Sequence, residues 1–267
     1  MLANYHTHTT RCNHAEGTEE EYVEKAIEGG FSILGFSDHA PYLFDEPHFS
    51  GYRMNPTEYN DYVDTIEALR EKYRGKIDIL IGLEIEYYPS CFEETLKFIL
   101  SRDIDYLILG QHYTKNEYDG EYVSHSTLDE DILITDYASQ VERAIKTGLF
   151  TYVAHPDIPI YTGPSRHYED EMSKICIAAN EAGIPLEINL CGLLRGKNYP
   201  SERFLALASD FDCNIIIGFD AHSPDNLYSE KAVMLYEKAV AMAKKYNLHL
   251  LEKTEPVKPI LSRITGA

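Results

Sequence analysis

The sequence has few basic residues, few cysteines and no long apolar run, and each shortage excludes a class of protein. Only 24 Lys and Arg stand against 44 Asp and Glu, so the formal net charge is −20. A nucleic-acid groove or an anionic membrane surface needs clustered basic side chains, and we expect neither partner. No apolar stretch approaches the roughly 20 residues that span a bilayer, and we see no secretory signal. A small-molecule substrate is the remaining expectation.

The five cysteines are odd in number and share no Cys-x-x-Cys spacing. Neither a disulfide framework nor a cysteine-ligated zinc site is therefore predicted. This pattern is typical of a reducing compartment, and we expect a cytoplasmic location. The 267 residues and the 44% hydrophobic content fit one domain with a substantial core, so residues 1–267 are predicted to form a single domain.

Apolar runs alternate with helical patterns along the chain. Continuous apolar runs, typical of parallel strands buried on both faces, predict strands at residues 2–5, 33–37, 78–86, 106–111, 151–154, 185–190 and 214–218. Thr18 and Glu21 have the spacing of a capping box, and Asn55 before Pro56 indicates another helix start. Residues 42–52 are predicted to form a long loop that could act as a lid. The alternation predicts an α/β barrel or a doubly wound sheet.

Most of the predicted strands end on a histidine or a carboxylate, which favours the barrel. Residues i and i+2 of a strand point the same way, so His6 and His8 can present two donors together, as can Asp220 and His222. The carboxyl ends of parallel barrel strands converge on one mouth. Imidazole and carboxylate ligands suit Zn²⁺, Mn²⁺ and Fe²⁺ in an open, multinuclear catalytic site. The nine candidate ligands are His6, His8, His14, His39, Glu84, His112, His155, Asp220 and His222.

Short sequence blocks surround these candidate ligands. They include His-Thr-His-Thr at 6–9, Cys-Asn-His-Ala at 12–15, Ser-Asp-His-Ala-Pro at 37–41 and Gly-Leu-Glu-Ile-Glu-Tyr-Tyr-Pro at 82–89. Further blocks are Gly-Gln-His at 110–112, Ala-His-Pro-Asp at 154–157, Glu-Ile-Asn at 187–189 and Gly-Phe-Asp-Ala-His-Ser-Pro at 218–224. Together they resemble the PHP (polymerase and histidinol phosphatase) superfamily, and within it the monofunctional histidinol-phosphate phosphatases.

The resemblance implies a distorted seven-stranded (β/α)7 barrel with three divalent transition-metal ions, Zn, Mn or Fe, at the carboxyl ends of the strands. The implied ligand sets are His6, His8, Glu84 and Asp220; Glu84, His112 and His155; and His14, His39 and His222. It also implies metal-assisted hydrolysis of a phosphomonoester, L-histidinol phosphate, to L-histidinol and phosphate in histidine biosynthesis.

Substrate contacts are predicted from the chemistry of histidinol phosphate. Its phosphate needs guanidinium or ammonium donors, while its amine and imidazole need acceptors. The candidates for the phosphate end are Arg195, Lys197 and Arg166. The candidates for the other end are Glu187, Asn189 and Asp157. The predicted catalytic residues are Glu84, Asp220, His222 and Arg195.

Two other classes of function stay open. A PHP-type phosphatase or phosphodiesterase of another or broader specificity, such as a phosphotyrosine phosphatase, would use the same metals. A nuclease should show a basic track, which the net charge of −20 argues against. A non-catalytic metal-binding or regulatory protein would be expected to lack some ligands, and none is missing from the sequence.

Overall fold

The computed structural model describes residues 3–123, 127–128 and 131–265, so Leu2 of the first predicted strand lies outside it. The strands are β1 Ala3–Asn4, β2 Ile33–Phe36, β3 Asp78–Ile85, β4 Tyr106–Leu109, β5 Thr127–Leu128, β6 Ile160–Tyr161, β7 Leu186–Asn189, β8 Asn214–Gly218 and β9 His249–Leu250. The helices are α1 Glu19–Glu28, α2 Tyr59–Lys72, α3 Phe92–Ile99, α4 Asp131–Ile145, α5 Ser165–Ala182, α6 Leu190–Arg195, α7 Glu202–Asp210, α8 Pro224–Leu227, α9 Glu230–Lys245 and α10 Ser262–Thr265.

The strands form a curled parallel sheet. Strands β1 to β4 are paired in sequence order, β7 to β9 form a second group, and β5 pairs with β6. All of these pairings are parallel, as the continuous apolar runs predict. A bridge between Thr7 and Ala221 joins the loops that follow β1 and β8, and the Phe219 amide donates to Asn4 Oδ1 across 3.1 Å. The beginning and the end of the sheet therefore lie side by side.

The predicted count of seven strands is not reproduced among the described residues. The predicted strand at 151–154 contains only isolated bridges, in which Val153 pairs with Leu109 on one side and Leu186 on the other. It stops at His155, whose φ is +30°, and at Pro156, which has no amide to donate. Strands β5, β6 and β9 are only two residues long, too short for an apolar pattern to mark them.

The predicted helix starts are confirmed. Thr18 Oγ1 accepts from the Glu21 amide, and the Glu21 side chain accepts from the Thr18 amide across 2.6 Å, so a capping box precedes α1. Asn55 and Pro56 begin a short 3-10 turn that leads into α2. These caps satisfy amides that have no partner within the helix. No helix within the described ranges has the length and apolar character needed to cross a bilayer.

Candidate metal centre

All nine predicted ligands lie together at the carboxyl end of the sheet. His6 and His8 follow β1, His39 follows β2, and Glu84 is the penultimate residue of β3. The imidazole rings of His8 and His222 stack with centroids 4.1 Å apart, and other ring pairs in the cluster lie 4.5 to 6.2 Å apart. Three groups whose ligand atoms lie within 4.8 Å of one another are His6, His8 and Glu84; His39, Glu84 and His112; and His14, His39 and His222.

Glu84 lies at the centre of the cluster and is almost completely buried. Its Oε1 lies 2.8 Å from His155 Nε2 and 3.8 Å from His112 Nε2. Its Oε2 lies 3.0 Å from His39 Nδ1 and 3.5 Å from His8 Nε2. The two oxygens therefore face different histidines, which is the arrangement that a carboxylate bridging two ions requires.

Several buried donor and acceptor atoms in the cluster form no hydrogen bond of good geometry with the residues that the structure describes. They are His6 Nε2, His8 Nε2, His39 Nδ1, Glu84 Oε2, His155 Nδ1 and His222 Nε2. Buried polar atoms are nearly always hydrogen-bonded, and each unsatisfied one costs roughly 1–3 kcal/mol. Imidazole nitrogens and carboxylate oxygens are the ligands that divalent transition ions prefer. The donor set therefore fits such ions.

The buried carboxylates favour positive charge on His6, whereas burial lowers the pKa of His14, His39 and His222. Burial by itself lowers the pKa of His6, but the Glu187, Asp220 and Glu84 carboxylates outweigh it and raise that pKa to about 10. Burial alone raises the pKa of Asp220, yet His6 and His222 hold it well below its usual range. Protons and metal ions compete for such groups, so metal affinity should fall as the pH falls.

Cys12 also lies close to the cluster, with its sulfur near His8 and His222. Burial raises the pKa of the Cys12 thiol. Only a thiolate binds a metal ion well, and the raised pKa disfavours the thiolate. The donor set is therefore best described by histidines and carboxylates.

Three carboxylates outside the candidate ligand set contact ring nitrogens of the histidines in the cluster. Glu187 Oε1 accepts from His6 Nδ1 across 2.8 Å, and Glu86 Oε1 accepts from His112 Nδ1 across 2.9 Å. Asp38 Oδ1 lies 3.4 Å from His8 Nδ1. Such contacts fix which ring nitrogen carries the proton. Sequence reasoning assigned no role to Glu86 or Asp38, although Glu86 lies two residues after Glu84 and Asp38 immediately precedes His39.

A cavity of about 290 Å³ opens above the cluster and is lined by seven of the nine candidate ligands. Arg195 and Lys197, two of the predicted phosphate contacts, are also on its wall, with Tyr52, Tyr122 and Tyr199. Arg195 is the last residue of α6. Asn189 begins this helix by accepting from the Gly192 amide across 2.8 Å, which places Arg195 at the cavity.

The other four predicted substrate contacts are not on the cavity wall. Arg166 lies in the first turn of α5, where its side chain is 93% exposed and 3.9 Å from Asp170. Asp157 accepts from the Ser201 amide, and burial raises its pKa to about 6. Glu187 accepts hydrogen bonds from His6 Nδ1 and from the His155 amide. The fourth, Asn189, donates through Nδ2 to both Glu187 and Asp220.

Comparison with known proteins gives the family. The profile of the PHP domain matches residues 4–190, more than half of the chain. The chain belongs to the PHP domain family. A probable histidinol-phosphatase of Deinococcus radiodurans is 30% identical over 236 residues, which cover 84% of this chain and 87% of that protein. A histidinol-phosphatase of Bacillus subtilis is 26% identical, with 81% and 92% of the two chains covered.

The PHP fold is also found in a solved structure. The histidinol phosphate phosphatase from Lactococcus lactis, complexed with Zn, L-histidinol and phosphate, matches with a TM-score of 0.70. The match covers 97% of this chain and 100% of that one at 21% identity, and it shows a shared fold. Asp220 and His222 lie beyond the PHP match at 4–190, so the cluster extends past the matched residues.

Proposed function

We propose that this protein is a metal-dependent phosphomonoesterase that hydrolyses L-histidinol phosphate to L-histidinol and phosphate in histidine biosynthesis. The observation that carries the proposal is a buried group of ligand atoms without hydrogen-bond partners beside a cavity with two basic side chains. The probable histidinol-phosphatase of Deinococcus radiodurans and the histidinol-phosphatase of Bacillus subtilis, related over most of their length, support the choice of substrate.

We propose three divalent ions, Zn, Mn or Fe, as the cofactors. The proposed ligand sets are His6, His8, Glu84 and Asp220; Glu84, His112 and His155; and His14, His39 and His222. The first and third sets are supported by ligand atoms that lie within 4.8 Å of one another, those of His6, His8 and Glu84 and those of His14, His39 and His222. The second is supported by Glu84 Oε1, which lies 2.8 Å from His155 Nε2 and 3.8 Å from His112 Nε2. When bound, ions of this kind activate water as Lewis acids and offset the negative charge of a phosphate group.

The protein's own side chains have distinct roles in the proposed reaction. Glu84 and Asp220 would supply the negative charge that holds the ions, and His222, which lines the cavity, would be a further ligand. Arg195 and Lys197 bind the phosphate oxygens and offset the charge that these oxygens carry in the transition state. Tyr52, Tyr122 and Tyr199 also line the cavity and would offer aromatic surface to a cationic amine and an imidazole. Discrimination between phosphomonoesters would depend on these tyrosines, because the phosphate group of any phosphomonoester can bind at the metal ions.

The metal content tests the cluster. Protein loaded with Zn²⁺ or Mn²⁺ and freed of loosely bound ions should retain close to three ions per chain by elemental analysis. His222→Ala should lose about one of them, because it removes one ligand from the set with His14 and His39. His249→Ala is the control, since that histidine is exposed and bonds Asn214 instead. A reproducible maximum of one ion in the wild-type chain contradicts the trinuclear proposal.

A substrate panel tests specificity. We expect kcat/KM for histidinol phosphate to exceed that for p-nitrophenyl phosphate and for phosphotyrosine by at least about 10²-fold. The expected ratio reflects a cation contact combined with a penalty of roughly 1–3 kcal/mol for polar groups left unpaired by the poorer substrates. Equal turnover of all three compounds would favour the alternative, a PHP-type phosphatase of broader specificity.

We further infer a single domain over residues 1–267 whose sheet is a distorted barrel of seven segments. Support comes from Val153, which bridges the segment at 151–154 to β4 and β7, and from the Thr7–Ala221 bridge. These bridges complete a ring in the order β1, β2, β3, β4, 151–154, β7 and β8. The five cysteines are free thiols, which supports the proposed reducing, cytoplasmic location.

A further inference from the structure

Arg53 lies in a buried charge network beside the candidate ligands, and only 3% of its side chain is exposed. Its Nη1 and Nη2 donate to Oε2 and Oε1 of Glu86, each across 3.1 Å. Its Nε and Nη2 donate to Glu117 Oε2 across 2.9 and 2.7 Å, and Nη1 also reaches the Ala40 carbonyl. One guanidinium thus joins the end of β3 to residue 117 and to the loop after β2.

Glu86 also contacts a candidate ligand, His112. Its Oε1 accepts from His112 Nδ1 across 2.9 Å, while His112 Nε2 points towards Glu84 Oε1 at 3.8 Å. An ionised carboxylate can only accept hydrogen bonds, and the adjacent Arg53 charge favours the ionised form. The proton of a neutral His112 therefore lies on Nδ1, which leaves the Nε2 lone pair free to bind a metal ion.

The same network holds a wall of the cavity. The Tyr52 hydroxyl donates to Glu86 Oε1 across 3.0 Å and accepts from Arg53 Nη2 across 2.5 Å. The Tyr52 ring contacts His39 and His112 edge to face, with centroids 5.2 and 6.0 Å apart. Tyr52 belongs to the loop at 42–52, so Arg53 and Glu86 fasten one end of this loop to the cluster.

We propose that Arg53 and Glu86 are positioning residues, which fix His112 as an Nε2 ligand and hold Tyr52 against the cavity. The inference rests on the proposed function, since His112 is a ligand only if the cluster binds metal. A role in stability alone explains the network poorly. Buried ion pairs are often no more stabilising than apolar side chains of similar volume, because removing the charges from water is costly.

The experiment compares Glu86→Gln and Arg53→Lys with Arg70→Lys in the full-length chain. Arg70 is a matched control, because it also joins a carboxylate, Asp105, to a backbone carbonyl of β3, that of Ile79. Its contacts lie towards the amino end of β3, whereas those of Arg53 lie at the carboxyl end. Zn²⁺ affinity is measured by competition with a chelator, without substrate.

We expect Glu86→Gln to weaken binding of one Zn²⁺ ion about 10- to 100-fold, the usual effect of losing a group that orients a metal ligand. The glutamine amide can donate to Nδ1 and so no longer selects one tautomer. Arg53→Lys should lie between Glu86→Gln and the wild type, because an ammonium lacks the planar fork that reaches both carboxylates. Arg70→Lys should bind Zn²⁺ as the wild type does.

Nitrogen-15 NMR of the Zn²⁺-loaded chain gives a readout that does not depend on affinity. The His112 signal, assigned by its loss in His112→Gln, should show a proton on Nδ1 and none on Nε2. A proton on Nε2, or an unchanged Zn²⁺ affinity in Glu86→Gln, overturns the inference and leaves the proposed function standing. A wild-type chain that binds no Zn²⁺ overturns both.

Discussion

Replacing Glu84 by glutamine is expected to lower kcat/KM for histidinol phosphate by at least about 10³-fold, equivalent to about 4 kcal/mol of transition-state stabilisation. The two oxygens of Glu84 face different histidines, so a single neutral amide cannot satisfy both sides. Glutamine has nearly the same shape and should preserve the fold. The measurement is steady-state kinetics combined with elemental analysis, in which the variant should also hold fewer ions per chain.

The control for this variant is Glu93→Gln, which removes one carboxylate charge from the exposed surface of α3. It should retain wild-type metal content and activity, because Glu93 pairs only with Lys97 among the described residues. Near-normal activity of Glu84→Gln would contradict the proposed bridging role and would indicate that Asp220 is the main carboxylate ligand.

Arg195→Ala is expected to lower kcat/KM on the order of 10²-fold, or about 2.7 kcal/mol. A guanidinium beside a partly desolvated phosphate forms charge-assisted, bidentate hydrogen bonds, which are among the strongest in proteins. Arg195→Lys should recover only part of the loss, since an ammonium lacks the planar fork. Initial rates over a range of histidinol phosphate concentrations, at full metal occupancy, measure both variants.

Arg166→Ala is the matched control, because sequence reasoning predicted the same role for both arginines. The structure separates them, with Arg195 on the cavity wall and Arg166 on the exposed side of α5. Arg166→Ala should therefore leave kcat/KM within about twofold of the wild type. If Arg195→Ala kept full activity while Arg166→Ala lost it, the proposed phosphate contact would be misplaced.

The candidate ligands were predictable because a strand end fixes both the position and the direction of a side chain. His6 and His8 are two residues apart just after β1, and Asp220 and His222 repeat this spacing after β8, where Asp220 has a φ of +48° and is not extended. Parallel strands bring such ends to one mouth, so the structure could gather these side chains in only one place. Their role as ligands remains a prediction, although their proximity is now established.

The supporting carboxylates were harder to predict, because their role depends on which atoms lie behind a histidine. Glu187 illustrates this. Its position on β7 suggested a substrate contact, yet its side chain turns to His6 through space that Gly218 leaves open on β8. A Cβ atom on Gly218 would lie 1.7 Å from Glu187 Oε1. No single-sequence pattern reveals that a glycine on one strand admits a carboxylate from its neighbour.

The predicted seven regular strands were not reproduced among the described residues for a related reason. The segment at 151–154 is largely apolar, but its amides donate to both neighbours, with Thr151 bonding Leu107 and Val153 bonding Pro185. A regular strand needs several consecutive residues paired with the same neighbour. Pro156 follows this segment too closely for such pairing to form. The burial of this segment was predictable from its apolar residues, whereas its pairing depended on tertiary contacts.

The bridge between Thr7 and Ala221 has a consequence for synthesis. Strand β1 is synthesised before β8, and the side chain of Asn4 meets the Phe219 amide, which lies 215 positions later in the chain. At about 5–20 residues per second, this partner follows roughly 10 to 40 s later. During that interval β1 has no native neighbour on one side, and the His6–His8 pair has no Asp220. A nascent chain of this protein should therefore need chaperone protection until its last third has been made.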